Sequence, residues 1–144
     1  MARILGTLLL ALLAAFAPRF AGAQQAVPPE VARTVREVVQ AQLDAFLHDD
    51  AQGAFALATP GIRKTFGSAE NFLAMVRNSY AVVYRPKSVV FEPPQIVDGQ
   101  VLQPVRLSDG EGRGWIAVYP MQRQADGSWR TNGCQLARLT GLAI

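Results

Sequence analysis

The sequence predicts an α+β fold in which N-terminal helices pack on one face of a curved antiparallel sheet of about four strands. Apolar residues recur at helical spacing up to Arg85, and β-branched runs separated by turn residues follow from Ser88 onward. The two patterns do not alternate. Helices first and strands afterwards favour an α+β architecture over a parallel βαβ sheet.

The first 23 residues have the composition of a secretory leader. They begin with a basic residue, Arg3, continue through an uncharged apolar run from Ile4 to Phe16, and end in the small residues Ala21-Gly22-Ala23. This order predicts a signal peptide cleaved after Ala23. A retained membrane anchor is the alternative, but the apolar run is shorter than the about 20 residues that cross a bilayer. We therefore expect an exported protein, periplasmic or secreted, whose residues 24–144 form one domain.

Charge gives no reason to expect nucleic acid as a partner. The chain has 14 basic and 11 acidic residues, and two of the basic ones, Arg3 and Arg19, lie in the leader. The mature chain is therefore nearly neutral, whereas nucleic-acid-binding domains present clustered basic faces. A single cysteine cannot form an internal disulfide, so the fold must be stabilised by packing.

The first helix follows Pro28-Pro29. Within "VARTVREVVQAQLDAFLHDD", apolar residues such as Val35, Val39 and Leu43 recur every four residues, which predicts an amphipathic helix of about five turns. Asp49 or Asp50 then caps a short second helix, "AQGAFALA".

Two further helices are indicated by their capping residues. Thr59-Pro60 places a capping residue before a proline at the first helical position, and Gly67 can end the short helix "GIRKTF". Ser68 caps the next helix, "AENFLAMVRNSY". The residue before Pro86 is disfavoured in a helix, so we expect this last helix to end at Arg85.

The second half reads as an antiparallel meander. The run "SVVFE" is closed by Pro93-Pro94, and Asp98-Gly99 separates two apolar runs, which is a strong hairpin signal. "WIAVYPMQRQ" and "SWRTNGCQLARL" flank a second such turn at Asp126-Gly127.

The register of the last hairpin predicts where the single cysteine, Cys134, points. A two-residue turn at Asp126-Gly127 pairs Tyr119 with Cys134, Ala117 with Leu136, and Trp115 with Arg138. The face shared by these residues is the more apolar one, so we expect Cys134 to point into the helix-covered core as a poorly reactive thiol. A nucleophilic role and an intermolecular disulfide are the alternatives. The nucleophile would need a base, and the only histidine, His48, is explained by the C-terminal dipole of the first helix.

The opposite face of the sheet is more apolar than a solvent-facing surface requires. Because no helix is left to cover it, we expect a partner surface, most simply a homodimer with sheet packed on sheet. Scattered exposed apolar residues are the alternative. We also place Thr131 on this outer face. The predicted interface residues are Leu102, Arg106, Ile116, Val118, Gln135 and Ala137.

The strongest candidate for a ligand site is "SYAVVYRPKSV", where the last helix meets the sheet. Aromatic side chains with a few polar groups are typical of small-molecule pockets. The alternative is that Tyr80 merely closes the core. The predicted ligand-binding residues are Tyr80, Tyr84, Arg85, Trp115 and Tyr119.

Several catalytic and cofactor motifs are missing from the sequence. It contains no HExxH, CxxC, GxSxG or glycine-rich phosphate loop, so we expect no metal and no cofactor. The loop "SDGEGRG" has too few oxygen ligands for calcium.

Two long runs resemble a group of exported bacterial proteins known as domain of unknown function 4864. The runs are "VVQAQLDAFLHDDAQGAFALATPGIRKTFGSAENFLAMVRNSYAVVYRPKSVVF" and "LQPVRLSDGEGRGWIAVYPMQRQADGSWRTNGCQL". The order of elements is also similar to the nuclear transport factor 2-like superfamily, which implies a cone in which a curved sheet wraps a helical layer. That superfamily includes ketosteroid isomerase-like enzymes, which use a carboxylate base. The interior strand positions assigned here include no Asp or Glu, so no catalytic residue is carried over.

Two functions follow from these observations. The first is a non-enzymatic exported module that binds a small apolar ligand or a protein. The second is an isomerase-like or hydrolase-like enzyme that uses Tyr80, Tyr84, Arg85 and Tyr119, with His48 as a further candidate.

Overall fold

Helices occupy the first half of the chain and strands the second, as the sequence predicts. The computed structural model describes residues 25–140, so the predicted signal peptide, residues 1–23, lies outside the described residues. The helices are α1 (Pro29–Leu47), α2 (Ala51–Ala56), α3 (Pro60–Phe66), α4 (Ala69–Ser79) and α5 (Ala81–Tyr84). The strands are β1 (Ser88–Phe91), β2 (Gln95–Val97), β3 (Gln100–Ser108), β4 (Gly114–Arg123), β5 (Trp129–Thr131) and β6 (Gln135–Arg138).

The predicted capping residues of α2, α3 and α4 are confirmed. Asp50, rather than Asp49, caps α2, because its carboxylate accepts the backbone N–H of Gly53 at 2.9 Å. Thr59 and Ser68 cap α3 and α4 in the same way. These local interactions explain why the short helices begin where the sequence predicts.

The last helix is not continuous to Arg85, and this prediction is wrong. α4 ends at Ser79, and Tyr80 has the non-helical dihedral angles φ −129° and ψ 50° before the single turn of α5 begins. At this break the Tyr80 hydroxyl donates to the backbone carbonyl of Cys134 at 3.3 Å. A contact with the sheet therefore accompanies the break, and the local sequence around Tyr80 does not predict this break.

The sheet has four strand positions, of which β3 and β4 are the two central ones. β1 and β2 both pair with β3, and β5 and β6 both pair with β4. Proline explains the first interruption, since Pro93 and Pro94 separate β1 from β2 and have no N–H to donate. Two long central strands and four short ones therefore occupy the four positions that the sequence predicts.

The turn at Asp126-Gly127 is not the predicted two-residue turn. Gln124 N–H donates to the Ser128 carbonyl at 2.7 Å, which leaves a three-residue loop with Gly127 at φ 85°. As a result β5 pairs one residue out of the predicted register, with Thr131 opposite Met121. Thr131 is thereby buried on the inner face, and its predicted place on the outer face is wrong.

A bulge then restores the register for β6. Asn132 N–H donates to the Pro120 carbonyl, and Gln135 pairs with Val118, so Gly133 and Cys134 together lie opposite the single residue Tyr119. Gly133 has φ 86°, which suits glycine in such a bulge. The predicted pairs of Ala117 with Leu136 and of Trp115 with Arg138 are therefore confirmed.

The core lies between the helices and the inner face of the sheet. The buried face of α1 contributes Val35, Val39, Leu43 and Phe46, and the inner face of β3 and β4 contributes Val101, Val105, Leu107, Ala117, Tyr119 and Met121. The α2–α3 connection also docks on the sheet, where Ala58 forms a parallel bridge with Thr131. This docking covers the free edge of β5 and brings α3 close to the bulge.

Candidate functional site

A cavity of about 220 Å³ lies between the helices and the inner face of the sheet, beside the bulge. Its apolar lining residues are Phe46, Ile62, Phe66, Phe72, Met75, Val76 and Val83. Its other lining residues are Gln42, Tyr80, Tyr119, Thr131, Gly133 and Cys134. Helices α1, α3, α4 and α5 therefore supply the apolar side, and the sheet and the break at Tyr80 supply most of the polar groups.

Aromatic rings enclose the helical side of this cavity. The ring of Phe72 lies at the centre, with centroid distances of 5.9 Å to Phe46, 5.7 Å to Phe55 and 5.6 Å to Phe66. The rings are tilted rather than stacked face to face, which is the arrangement that aromatic quadrupoles prefer. This cluster gives the cavity a rigid apolar surface.

Most of the polar side chains that line the cavity already have partners. Gln42 donates through Nε2 to the Ala54 carbonyl at 3.0 Å, and the Thr131 hydroxyl donates to the Leu57 carbonyl at 3.3 Å. Tyr80 donates to the Cys134 carbonyl, as described above. Each of these side chains therefore directs one donor at the backbone.

The hydroxyl of Tyr119 is the exception. Tyr119 is only 2% exposed, and its hydroxyl oxygen is buried without a nitrogen or oxygen partner, with the Cys134 thiol as its polar neighbour. Burial raises the pKa of Tyr119 well above its ordinary value of 10.0, and the charge and weak hydrogen bonding of the Cys134 thiol add to the rise. The phenol is therefore protonated and keeps its donor proton at every pH near neutrality.

The Cys134 thiol lies beside Tyr119 in the cavity lining. Although the residue as a whole is half-buried, desolvation of the thiol raises its pKa from 9.0 to about 12. Weak hydrogen bonding with the Tyr119 hydroxyl opposes this rise but does not cancel it. A thiol with so high a pKa is a weak nucleophile, in agreement with the predicted core position.

The predicted ligand-binding residues do not all meet in one place. Tyr80 and Tyr119 line the cavity. Tyr84 and Arg85 lie outside it, where the Arg85 guanidinium carbon is 4.1 Å from the centroid of the Tyr84 ring. Both side chains contact Asp49, and Arg85 also donates to the Phe46 carbonyl at 2.7 Å. This group therefore ties α5 to the C-terminal end of α1.

Trp115 also lies away from the cavity. Its indole N–H donates to the Asp109 carboxylate at 3.0 Å, and the guanidinium carbon of Arg138 lies 5.2 Å from its ring centroid. The same carboxylate accepts from Arg113 at 2.7 Å. Trp115 and Asp109 thus order the β3–β4 loop, "SDGEGRG", rather than line the cavity.

The predicted interface residues share the outer face of the sheet. Leu102, Ile116 and Val118 are half-buried, whereas Arg106 and Ala137 are exposed. Gln135, which pairs with Val118, is exposed as well. Arg106 forms an ion pair with Glu92 at 2.6 Å on this face. The face therefore mixes apolar patches with charge.

Of the residues that line the cavity, the predicted ligand-binding set contains only Tyr80 and Tyr119, and among those it missed Gln42 carried a readable signal. Gln42 lies on the buried stripe of α1, three residues after Val39 and four before Phe46, and it is only 3% exposed. A polar residue within an apolar helical stripe is unusual, and it could have been noticed. Phe66, at the end of α3, belongs to a helix too short to show a stripe.

The described residues offer little for metal chemistry. Among residues 25–140 no group of three or more His, Cys, Asp and Glu side chains could hold a metal ion. His48 lies at the C-terminal end of α1, with its Nδ1 2.8 Å from the Asp44 carbonyl oxygen, and does not line the cavity. Over the same range, no helix has both the length and the hydropathy that crossing a bilayer demands.

Helices followed by a curled antiparallel sheet, with a cavity between the two layers, define a cone-like α+β fold. The solved structure of Aln2 from a Streptomyces species is similar, with a TM-score of 0.52 and 16% sequence identity over 79% of this chain and 94% of that one. At this identity the likeness shows the fold alone, and it is consistent with the nuclear transport factor 2-like architecture.

The family model named "Domain of unknown function (DUF4864)" matches residues 29–144, so the chain belongs to that family. No curated protein matches the sequence.

Proposed function

We propose that this protein is a non-enzymatic binding module that holds a small apolar molecule in the cavity between its helices and its sheet. The observation that carries the proposal is an apolar cavity with one buried hydroxyl, that of Tyr119, left without a nitrogen or oxygen partner. Concave, mostly apolar sites with a few polar groups are the usual form of small-molecule sites.

The energetic cost of the cavity supports this proposal. At about 24 cal/mol for each Å³ of empty core, 220 Å³ sets an upper bound of about 5 kcal/mol on this cost, because the cavity is partly open to solvent. Domains of this size are stable by only about 5–15 kcal/mol in total. A bound ligand would recover part of this cost, since binding to the folded state alone stabilises it.

The volume limits the size of the ligand. A dry cavity of about 150 Å³ is large enough to bind benzene. A cavity of 220 Å³ therefore has room for one ring with a short substituent, or roughly eight to twelve non-hydrogen atoms. A steroid would not fit without movement of the helices.

Binding can be tested with ethylbenzene as the probe. We expect it to raise the midpoint of thermal unfolding of the purified protein in a concentration-dependent way, and to bind with measurable heat. The variant Val76→Phe places a ring in the cavity and should abolish both effects. Absence of any effect on the wild-type protein, or an equal effect on the variant, would refute the proposal.

Export and domain extent are part of the same proposal. The leader supports cleavage after Ala23, with residues 24–144 as one domain in the periplasm or outside the cell. Mass spectrometry of the protein recovered from an expressing bacterium should show an N-terminus at Gln24. A full-length chain in the cytosol would contradict it.

The outer sheet face supports a homodimer as the form in which the module acts. The half-buried residues Leu102, Ile116 and Val118 lie together on this face, and no helix of the described chain covers them, so a second copy of the sheet could pack there. Light scattering should give twice the monomer mass, and Ile116→Lys should halve it, whereas Gln40→Lys on exposed α1 should not. If the wild-type protein is a monomer at high concentration, the apolar residues of this face are scattered exposed residues and do not form an interface. A different protein on this face remains the other arrangement that the sequence predicts.

No observation favours the enzymatic alternative. Among the described residues, those that line the cavity include no carboxylate and no imidazole, so an isomerase or a hydrolase would find no general base beside Tyr80 and Tyr119.

A further inference from the structure

We propose that the ligand is a compact neutral ring compound with one hydrogen-bond acceptor, such as a carbonyl oxygen, and that the Tyr119 hydroxyl donates to this acceptor. The proposal rests on the proposed function, because it names the chemical class of molecule for the same cavity.

The Tyr119 hydroxyl is the polar group that a ligand in the cavity would meet. It is buried, it lines the cavity, and it has no nitrogen or oxygen partner, only the weakly accepting Cys134 thiol beside it. A buried hydroxyl without a partner is unfavourable, because folding removes its hydrogen bond to water. Gln103 Oε1 is also buried without a partner, but Gln103 does not line the cavity, so a ligand there could not satisfy it.

Other polar groups of the lining are partly or fully engaged. The hydroxyls of Tyr80 and Thr131 donate to backbone carbonyls, and Gln42 uses one of its two amide N–H groups in the same way. The Cys134 thiol lies 3.8 Å from the Gln135 carbonyl and beside the Tyr119 hydroxyl, and thiols are weak donors and weak acceptors. Among the described lining residues, Tyr119 therefore has the one hydroxyl whose proton no oxygen atom accepts.

The charge and shape of the cavity favour a neutral, flat ligand. None of the described residues that line the cavity is charged, so an ionic ligand would lose its hydration without gaining a counter-charge. A phenol is a better donor than acceptor because its oxygen lone pair is delocalised into the ring. The rings of Phe46, Phe66 and Phe72 present flat apolar surfaces. A neutral ring with one acceptor fits these three conditions.

The test compares two probes of nearly equal shape, acetophenone and α-methylstyrene. Acetophenone has a carbonyl oxygen at the position where α-methylstyrene has a methylene group. Dissociation constants are measured for both with the wild-type protein and with Tyr119→Phe. The comparison forms a thermodynamic cycle in which the different hydration of the two probes cancels. We expect the variant to weaken acetophenone about twofold to tenfold relative to α-methylstyrene.

Tyr84→Phe is the matched control. It also removes a phenolic hydroxyl, but Tyr84 lies outside the cavity and its hydroxyl donates to the Asp49 carboxylate. The ratio of the two dissociation constants should therefore stay within about twofold of the wild-type ratio.

The outcomes separate the two proposals. If neither probe binds the wild-type protein, the binding module itself is refuted. If both bind and Tyr119→Phe leaves their ratio unchanged, the cavity binds apolar molecules but Tyr119 is not their donor, and the inference is overturned.

An infrared measurement keeps the test valid should the variant fail to fold. The carbonyl stretch of acetophenone bound to the wild-type protein should lie at lower frequency than in a hydrocarbon solvent. Equal frequencies would overturn the inference.

Discussion

Val76→Phe tests whether the cavity is usable space. Val76 is only 4% exposed, lies in the last full turn of α4, and lines the cavity. Phenylalanine adds about four carbon atoms, each worth up to about 0.8 kcal/mol when buried, for an upper bound of about 3 kcal/mol. Imperfect fit and lost side-chain entropy reduce this gain, so we expect a net stabilisation of about 1 kcal/mol. Helix propensity does not disturb the comparison, because valine and phenylalanine are similar in this respect.

Val105→Phe is the matched control for this substitution. Val105 is fully buried in β3, opposite Ala117, and does not line the cavity. The same change there overpacks a filled core and should destabilise the protein by about 1–3 kcal/mol. Valine and phenylalanine both favour strands, so backbone preference again contributes little.

Thermal unfolding followed by calorimetry distinguishes the two variants. We expect Val76→Phe to raise the midpoint by about 4 °C and Val105→Phe to lower it. The reasoning is refuted if Val76→Phe destabilises the protein as much as Val105→Phe does, because the cavity would then offer no room for a ring.

Three further predictions concern single residues. Because the pKa of Cys134 is raised to about 12, its thiol should react with a disulfide reagent at pH 8 about a thousandfold more slowly than a free thiol; rapid reaction in the native state would contradict this. The contribution of this thiol to the free energy of unfolding should be complete below pH 9 and be lost as the pH rises towards 12. The indole N–H of Trp115 is the main cause of the lowered pKa of Asp109, so the stabilisation from that carboxylate is present above its ordinary pKa of 3.8 and is lost at lower pH; acid unfolding of Asp109→Asn should therefore depend less on pH below about 4 than that of the wild type. Thr59→Ala removes the α3 cap and should cost about 1–2 kcal/mol in urea unfolding, whereas Thr65→Ala on the exposed face of the same helix should cost less than about half as much.

Much of the fold could be predicted because its signals are local. The caps at Asp50, Thr59 and Ser68 act on backbone groups within three residues, and the apolar stripe of α1 repeats every turn. Alternation along β3 and β4 likewise identified the inner face, including Tyr119. Such features depend on neighbours in the sequence.

The errors arose where distant segments meet. Tyr80 interrupts the predicted last helix and contacts the bulge at Cys134, 54 residues later in the sequence. The turn at Asp126-Gly127 has an extra residue, which reversed the predicted face of Thr131 until the bulge restored the pairing. Whether an extra residue lies in a turn or in a bulge depends on which backbone groups find partners across the sheet.

The sequence by itself determined the order of the elements, their caps, the two faces of the central strands and the helix-covered position of Cys134. Only the tertiary structure decided that Tyr80 and Tyr119 line one cavity while Tyr84, Arg85 and Trp115 lie elsewhere, and that the hydroxyl of Tyr119 has no nitrogen or oxygen partner. The physical reason is that a cavity is the space that several packed elements fail to fill. Its existence depends on how α1, α3, α4 and the bulge fit together, and no single segment contains that information.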